Sequence, residues 1–276
     1  MPRTMYRRKL LSSFVTLRTP GYPGRGFLKA RLEGLEHAIL LAVLDSASPV
    51  VRYRRSAAER DRLVMEWGRM WLLADDVQDE HPDAASDAEL LGLLLGEHQP
   101  RSTHPLVVEL ARAAKAVQDA VRATPWWDAY RTETKRCFDS QKVVIHSRLD
   151  ADLVERTLEA AETKAGAFAR GLVHVADPEA LPENLNEALF WFGAWVQAVD
   201  DYADREKDAR SQVFTIFSTA ADPDATLAEL GARYRARIVE RTGRADALVP
   251  LAEDLAWLAR LSRKPIVKPL FGLLNN

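Results

Sequence analysis

The sequence of 276 residues contains a single cysteine, Cys137, and no long apolar run. One thiol excludes a disulfide framework within the chain, an iron–sulfur cluster and a zinc site built on thiolates. The most apolar interior segment, 38–44, is far shorter than the roughly 20 residues that a membrane span requires. Charge of one sign is also lacking, with 38 Lys+Arg against 40 Asp+Glu. We therefore expect a cytoplasmic protein with no stable membrane insertion and no nucleic-acid partner.

Strand patterns are missing as well, since no alternating β-branched run ends in a hairpin turn. Proline is absent from 50–81, 126–177 and 183–222, and these intervals are rich in Ala, Leu, Glu and Arg, which favour helices. The composition predicts an all-α fold of nine or ten helices in a single domain over 23–276. A basic arm over 1–22 precedes it, which we expect to be flexible.

Several helix starts are marked by capping residues. Ser56 is followed three residues later by Glu59, which is a capping box. Further starts are predicted at Thr124 before a proline, at Asp150 and at Pro182. Shorter helices are predicted over 27–46, 86–96, 104–122, 224–241 and 245–262.

The first acidic segment lies at the end of a strongly apolar helix. Trp67, Trp71, Asp75 and Asp79 recur every four residues, so they share one helical face, and Asp76 lies beside it. Carboxylates at a helix C-terminus oppose the helix dipole. Another group is therefore expected to stabilise them.

The second acidic segment follows an equally apolar stretch that contains Phe190 and ends beside Asp200. One helical face carries a glutamine and three aspartates: Gln197, Asp201, Asp204 and Asp208. Two facing acidic clusters repel each other unless cations lie between them. Because Mg²⁺ prefers a few carboxylates together with substrate phosphates, the pair predicts a magnesium–diphosphate site. Arg205 and Lys207 adjoin this cluster and are placed to contact a phosphate.

At these residues the chain resembles the class I isoprenoid synthase superfamily, which includes trans-prenyl diphosphate synthases, squalene/phytoene synthases and class I terpene cyclases. LLADDVQDE resembles its first aspartate-rich motif, and WVQAVDDYADREKD resembles the second. Between them, ETKAGAF resembles the lysine-containing segment of the prenyl diphosphate synthases. The resemblance covers about residues 24–245. It implies a helical bundle around a central active-site cavity, and it suggests a homodimer.

The resemblance also implies roles for individual residues. Three Mg²⁺ ions would bind an allylic prenyl diphosphate, and their ligands would be Asp75, Asp79, Asp201, Asp204 and Asp208. Asp76 and Asp200 would complete the catalytic set. Diphosphate contacts would come from Lys164 and Gln197, with Arg205 and Lys207 nearby. The metal ions would neutralise the leaving diphosphate, and the cation would be stabilised by aromatic faces, namely Trp67, Trp71 and Phe190.

The bulk of Met70 and Trp71, five and four residues before Asp75, occupies positions that limit pocket depth in the chain-elongating relatives. We therefore expect a substrate of the farnesyl or geranylgeranyl class.

Departures from the family pattern decide between reactions. Prenyl diphosphate synthases carry an Arg-Arg pair soon after the first motif, whereas here no basic residue occurs between Glu80 and Arg101, apart from His81 and His98. The grip on isopentenyl diphosphate is therefore expected to be lost, which favours a terpene cyclase. The second motif is aspartate-rich instead of the Asn-Ser-Glu triad of typical cyclases. The alternative is therefore a prenyltransferase of the squalene-synthase, head-to-middle or prenyl diphosphate synthase type, which joins the allylic cation to a second acceptor.

Two other classes are less well supported. A di-iron carboxylate protein needs Glu-x-x-His on two helices, and the chain has none. A non-catalytic helical module with acidic faces would bind a basic partner. It would show no dependence on magnesium and would tolerate Asp→Asn changes at Asp75 and Asp201.

Overall fold

The computed structural model describes residues 39–45, 47, 49–146, 154–210, 213–243 and 248–262. Within these ranges the backbone forms helices, and its one β-type contact is an isolated bridge between Tyr53 and Pro178. The predicted all-α fold is confirmed. The arm predicted over 1–22 and the helix start predicted at Asp150 lie outside the described residues.

The described chain contains eight α-helices that we number in order. They are α1 (Ala57–Glu80), α2 (Asp87–Leu95), α3 (Pro105–Val121), α4 (Trp127–His146), α5 (Val154–Val175), α6 (Glu183–Arg210), α7 (Pro223–Thr242) and α8 (Leu248–Ser262). A helical stretch over 39–45 precedes α1, and a 3-10 turn, Ile216–Ser218, separates α6 from α7.

The predicted helix starts agree closely with the structure. Ser56 forms the capping box: its Oγ accepts a hydrogen bond from the Glu59 N–H, and the Glu59 carboxylate accepts one from the Ser56 N–H. Pro182 directly precedes α6. At Thr124 the prediction is two residues early, because α4 begins at Trp127. The Thr124 hydroxyl donates to the carbonyl of Val121, which ties this residue to the end of α3.

Helix α6 packs against α5 on one side and against α7 and α8 on the other, while α5 also packs against α4. Glycine permits the close approach of α5 and α6. A Cβ added at Gly193 would lie 2.1 Å from the carbonyl oxygen of Ala165, so the two main chains are in direct contact there. Because the separation of two helices depends on the side chains between them, Gly193 fixes how near the residues of α5 and α6 lie.

Aromatic side chains of α1, α4 and α5 pack together beside a cavity. Trp67 is 0% exposed, and its ring centroid lies 5.8 Å from that of Tyr130 and 5.7 Å from that of Phe168. This aromatic packing joins three helices in one core. None of the described helices combines the length and the apolar content that a bilayer crossing requires.

Candidate functional site

The ends of α1 and α6 that carry the acidic segments meet at one cavity of about 280 Å³. Its walls come from α1, α4, α5, α6 and the stretch that precedes α1. The lining residues are Ile39, Leu40, Gly68, Trp71, Leu72, Asp75, Gln78, Cys137, Gln141, Lys164, Ala165, Phe168, Val196, Gln197 and Asp200. Carboxylates, amides and one ammonium group therefore share the cavity with apolar and aromatic side chains.

On α1, the Asp75 carboxylate is held by donors from two other helices. Its Oδ1 accepts a hydrogen bond of 2.8 Å from Nε2 of Gln141 on α4. The Lys164 ammonium on α5 lies 3.5 Å from the same oxygen. The last turn of α1 itself holds no basic residue. The stabilising groups expected for this C-terminal acid thus come from α4 and α5.

On α6, the aspartates are paired within their own helix. Nε2 of Gln197 donates to Oδ1 of Asp201 at 2.8 Å, one turn away. The ammonium of Lys207 lies 3.5 Å from Oδ2 of Asp204. Both contacts lie within α6, and among the described residues the positive charge that reaches Asp200 and Asp201 from another helix is that of Lys164 on α5.

Burial and mutual repulsion act on the acids of α6. Burial raises the pKa of Asp200 to about 6, and the nearby charge of Asp204 adds to the rise. Asp200 is nevertheless exposed at the cavity, so its pKa reflects the protein atoms and charges around it and not complete removal from solvent. Burial likewise raises the pKa of Asp201 to about 7, and burial together with Asp204 and Asp200 raises that of Asp208 to about 7. Negative charge is therefore in excess here.

The pKa of Lys164, on the neighbouring helix α5, also reflects the excess of negative charge. Burial by itself lowers the pKa of this ammonium group. The facing carboxylates of Asp75, Asp200 and Asp201, together with Cys137, outweigh that effect and raise the pKa above its usual value. Lys164 thus stays charged and lies between the two acidic clusters.

The donor set fits magnesium better than a metal that needs a closed protein cage. Among the described side chains, no three of the His, Cys, Asp and Glu type already surround one point. Asp75 and Asp200 instead line one cavity from different helices. Magnesium is typically held by one or two carboxylates, with waters and substrate phosphates as its other ligands. The two carboxylates match that pattern.

The seven predicted aspartates do not all reach the cavity. Asp75 and Asp200 line it, and Asp79 is exposed on the last turn of α1. The others are half-buried: Asp76, Asp201, Asp204 and Asp208. Their roles as metal ligands stay predictions.

Arg205, predicted to contact the diphosphate, is directed toward its own helix. Its guanidinium lies 4.6 Å from the centre of the Tyr202 ring and donates to the Tyr202 carbonyl at 3.1 Å. The Tyr202 hydroxyl in turn donates to Asp224 on α7 at 2.7 Å. Arg205 therefore packs on the link between α6 and α7 in this structure.

The predicted cavity aromatics are only partly on the cavity wall. Trp71 lines the cavity, but Trp67 lies in the core next to it and Phe190 packs against Gly166. Helical periodicity places a residue on a face but does not show how deep its side chain lies, which is why Trp67 and Phe190 differ from expectation. Phe168 of α5 provides the second aromatic ring of the wall.

Sequence reasoning missed Gln141. It lies 66 residues from Asp75 in sequence and belongs to no motif, so no local spacing connects the two. One signal was available: Cys137 and Gln141 are one turn apart on α4, so the amide lies on the same helical face as a cysteine, a residue type that is usually buried. Burial raises the pKa of Cys137 to about 12, which keeps this cavity thiol neutral.

Comparison with known proteins gives a structural match but no sequence match. No family model matches the chain, and no curated protein matches its sequence. In structure, the chain is similar to a geranyltransferase from Legionella pneumophila, with a TM-score of 0.51 over 95% of this chain and 89% of that chain. The fold is of the prenyltransferase type. At 14% identity the likeness shows the fold alone, and it confirms the expected all-α helical bundle.

Proposed function

We propose that the protein is a magnesium-dependent enzyme that ionises an allylic prenyl diphosphate and transfers the prenyl group to a second substrate. The observation that carries the proposal is the meeting of Asp75, Lys164 and Asp200 in one cavity with an aromatic wall. The fold shared with a geranyltransferase supports transfer over cyclisation.

The acids would bind the diphosphate through magnesium, and the ammonium group would bind it directly. Asp75 and Asp200 would hold Mg²⁺ from α1 and α6, with Asp79, Asp201, Asp204 and Asp208 as the further ligands that the family resemblance implies. Bound magnesium would supply charge that stabilises the departing diphosphate. Lys164, which stays protonated beside Asp75, would donate hydrogen bonds to the diphosphate oxygens, and the Gln197 amide lines the same wall.

The remainder of the cavity suits the hydrocarbon. Trp71 and Phe168 present aromatic faces, which attract a developing carbocation without reacting with it. Cys137 is neutral because its pKa is raised to about 12, so no thiolate is present to capture the cation. Trp71 and Phe168 both rest on the buried ring of Trp67. This support would limit the depth of the cavity, which favours a substrate whose prenyl chain is of the farnesyl or geranylgeranyl class.

One observation favours cyclisation as a second candidate. The helix that follows the first acidic segment begins with acidic residues, Asp87 and Glu89. Glu89 accepts hydrogen bonds from the backbone N–H groups of Arg101 and Ser102. A second diphosphate finds no basic grip in this segment. The acceptor of a transfer reaction is therefore proposed to lack a diphosphate, and a cyclase would need no acceptor.

The test is incubation of the purified protein with Mg²⁺ and geranyl, farnesyl or geranylgeranyl diphosphate. Each would be supplied alone, with isopentenyl diphosphate, or with a panel of acceptors that lack a diphosphate. Released pyrophosphate and extractable product would be measured. Release that requires an acceptor supports the transferase, and release with a single allylic diphosphate supports the cyclase. Absence of both turnover and magnesium-dependent pyrophosphate binding would reject both and favour the non-catalytic module.

A further inference from the structure

Gln141 has an unusual hydrogen-bonding state for a buried amide. The residue is 5% exposed and lines the cavity. Its Nε2 donates to Oδ1 of Asp75 at 2.8 Å. Its Oε1 is buried and finds no hydrogen-bond partner among the described residues. A buried carbonyl oxygen without a partner costs free energy, so the contact with Asp75 must account for its orientation.

The Asp75 carboxylate decides which end of the Gln141 amide faces it. If the amide were reversed, Oε1 would lie against the carboxylate oxygen, and two acceptors would face each other. The Asp75 carboxylate therefore determines the orientation of the amide.

A second buried glutamine shows what a purely structural amide does. Gln118 on α3 is 6% exposed, and its Nε2 donates to the carbonyl oxygens of Leu93 at 2.7 Å and Leu94 at 3.0 Å. Those carbonyls lie at the end of α2, so this amide joins two helices. Gln141 instead donates its hydrogen bond to a carboxylate that lines the cavity.

We propose that Gln141 is a positioning residue for the first acidic motif, which rests on the function proposed above. It holds Oδ1 of Asp75 from α4, while Lys164 approaches the same oxygen from α5. The carboxylate is thereby kept in one rotamer and its Oδ2 is left for a divalent cation. Gln141 itself does not bind the metal. Partners of this kind typically contribute 10- to 100-fold to metal affinity.

The experiment measures the Mg²⁺ concentration at half-maximal thermal stabilisation, in the presence of a fixed concentration of inorganic pyrophosphate. Gln141→Leu removes the amide and keeps a similar volume. We expect it to raise the magnesium midpoint by about ten-fold. The unfolding temperature of the magnesium-free variant should stay near that of the wild type, since the unpartnered Oε1 is removed together with the donor.

The matched control is Gln118→Leu. We expect it to lower the unfolding temperature of the magnesium-free protein, because the carbonyls of Leu93 and Leu94 each lose one of their two donors. It should leave the magnesium midpoint unchanged. A second variant tests the route of action. In an Asp75→Asn background, whose midpoint is already raised, Gln141→Leu should add less than about two-fold, because both changes act through one carboxylate.

The outcomes separate this inference from the proposed function. If the wild type responds to magnesium with pyrophosphate and Gln141→Leu responds at the same concentration, the positioning role is overturned and the function stands. The positioning role is also overturned if Gln141→Leu and Gln118→Leu change both readouts alike. If the wild type shows no response at all, the proposed function fails and the positioning role fails with it.

Discussion

The acidic ends of α1 and α6 reach the same cavity but are supported in different ways. Asp75 on α1 is contacted by Gln141 from α4 and by Lys164 from α5. On α6, Asp201 is contacted by Gln197 from its own helix. The first acidic segment is thus positioned by tertiary contacts, and the second by its local helix.

The acidic end of α6 is also distinguished by repulsion among its own carboxyl groups. Burial and neighbouring acids raise the pKa of Asp200 to about 6 and those of Asp201 and Asp208 to about 7. This cluster stores repulsion that a cation would relieve. On the function proposed above, the α1 end would provide a pre-organised carboxylate, whereas the α6 end would provide the charge that attracts cations.

The largest expected effect comes from removing one acid on either side. Asp75→Ala and Asp201→Ala should each slow magnesium-dependent pyrophosphate release by about a thousand-fold, because several kcal/mol of charge stabilisation are lost. Steady-state release of pyrophosphate from the allylic substrate measures it. Asp119→Ala is the control, since this exposed acid pairs only locally with Lys115 at 2.7 Å. A loss below ten-fold in either Asp75→Ala or Asp201→Ala would contradict the two-sided site.

The two lysines test the difference between tertiary and local contacts. Lys164→Met should raise the substrate concentration at half-saturation by about 10- to 100-fold, as expected when a charged hydrogen bond is lost. Lys207→Met should change it only about two-fold, because Lys207 is exposed and its pair with Asp204 is a surface pair. Initial rates over a substrate series distinguish them. Equal effects would mean that the α6 end grips the diphosphate as firmly as α5 does.

A smaller effect is expected at the aromatic wall. Trp71→Ala should shift the preference toward longer allylic diphosphates by about ten-fold, since a few methylene groups in an apolar pocket are worth this much. Competition between farnesyl and geranylgeranyl diphosphate measures the ratio. Trp191→Ala is the control, because its ring stacks on Tyr234 and lies outside the cavity lining. An unchanged ratio in Trp71→Ala would show that this ring does not limit the chain.

The smallest effect concerns the stability of the magnesium-free protein. The ordinary pKa of aspartate is near 3.8 and that of Asp201 in the fold is about 7. The folded state binds more protons over this interval, so stability is greatest at the acidic end and falls as the pH rises toward 7. Asp201→Asn keeps an acceptor for Gln197 and removes the charge. It should therefore raise the unfolding temperature at pH 8 by about 2–4 °C.

The pH comparison must be made between variants, because His174 acts with the opposite sign. Burial lowers the pKa of His174 to about 4, so its contribution is lost as the pH falls from about 6.5. The difference between Asp201→Asn and the wild type cancels this contribution. Thermal unfolding in EDTA at pH 5.5 and 8 should give the larger difference at pH 8. A difference that is the same at both pH values would show that Asp201 ionises normally.

Local chemistry made much of the fold predictable. The Ser56–Glu59 capping box marks a helix start because its side chains satisfy backbone N–H groups that have no partner within the helix. The proline before α6 marks another start because it has no backbone N–H that would need a partner. The spacing of Asp75 from Trp71 placed both on one face, and both line the cavity.

The features that the sequence did not reveal are contacts between residues on different helices. Gln141 contacts Asp75 across 66 residues, and no periodicity within one helix reports a contact between two. Trp67 and Trp71 share a face, yet the depth of each ring depends on α4 and α5, which pack Trp67 into the core through Tyr130 and Phe168. Depth is therefore a tertiary property, and it separates wall residues from supporting ones.

The contact of Gly193 with the carbonyl of Ala165 has a consequence for redesign. At Gly193 the two main chains, and not two side chains, set the gap between α5 and α6. We therefore expect exchanges of wall side chains such as Phe168 and Val196 to disturb the spacing of α5 and α6 less than a substitution at Gly193. If the proposed function holds, a library that seeks new products should keep Gly193 constant and vary the wall, because the close contact of the two main chains depends on Gly193.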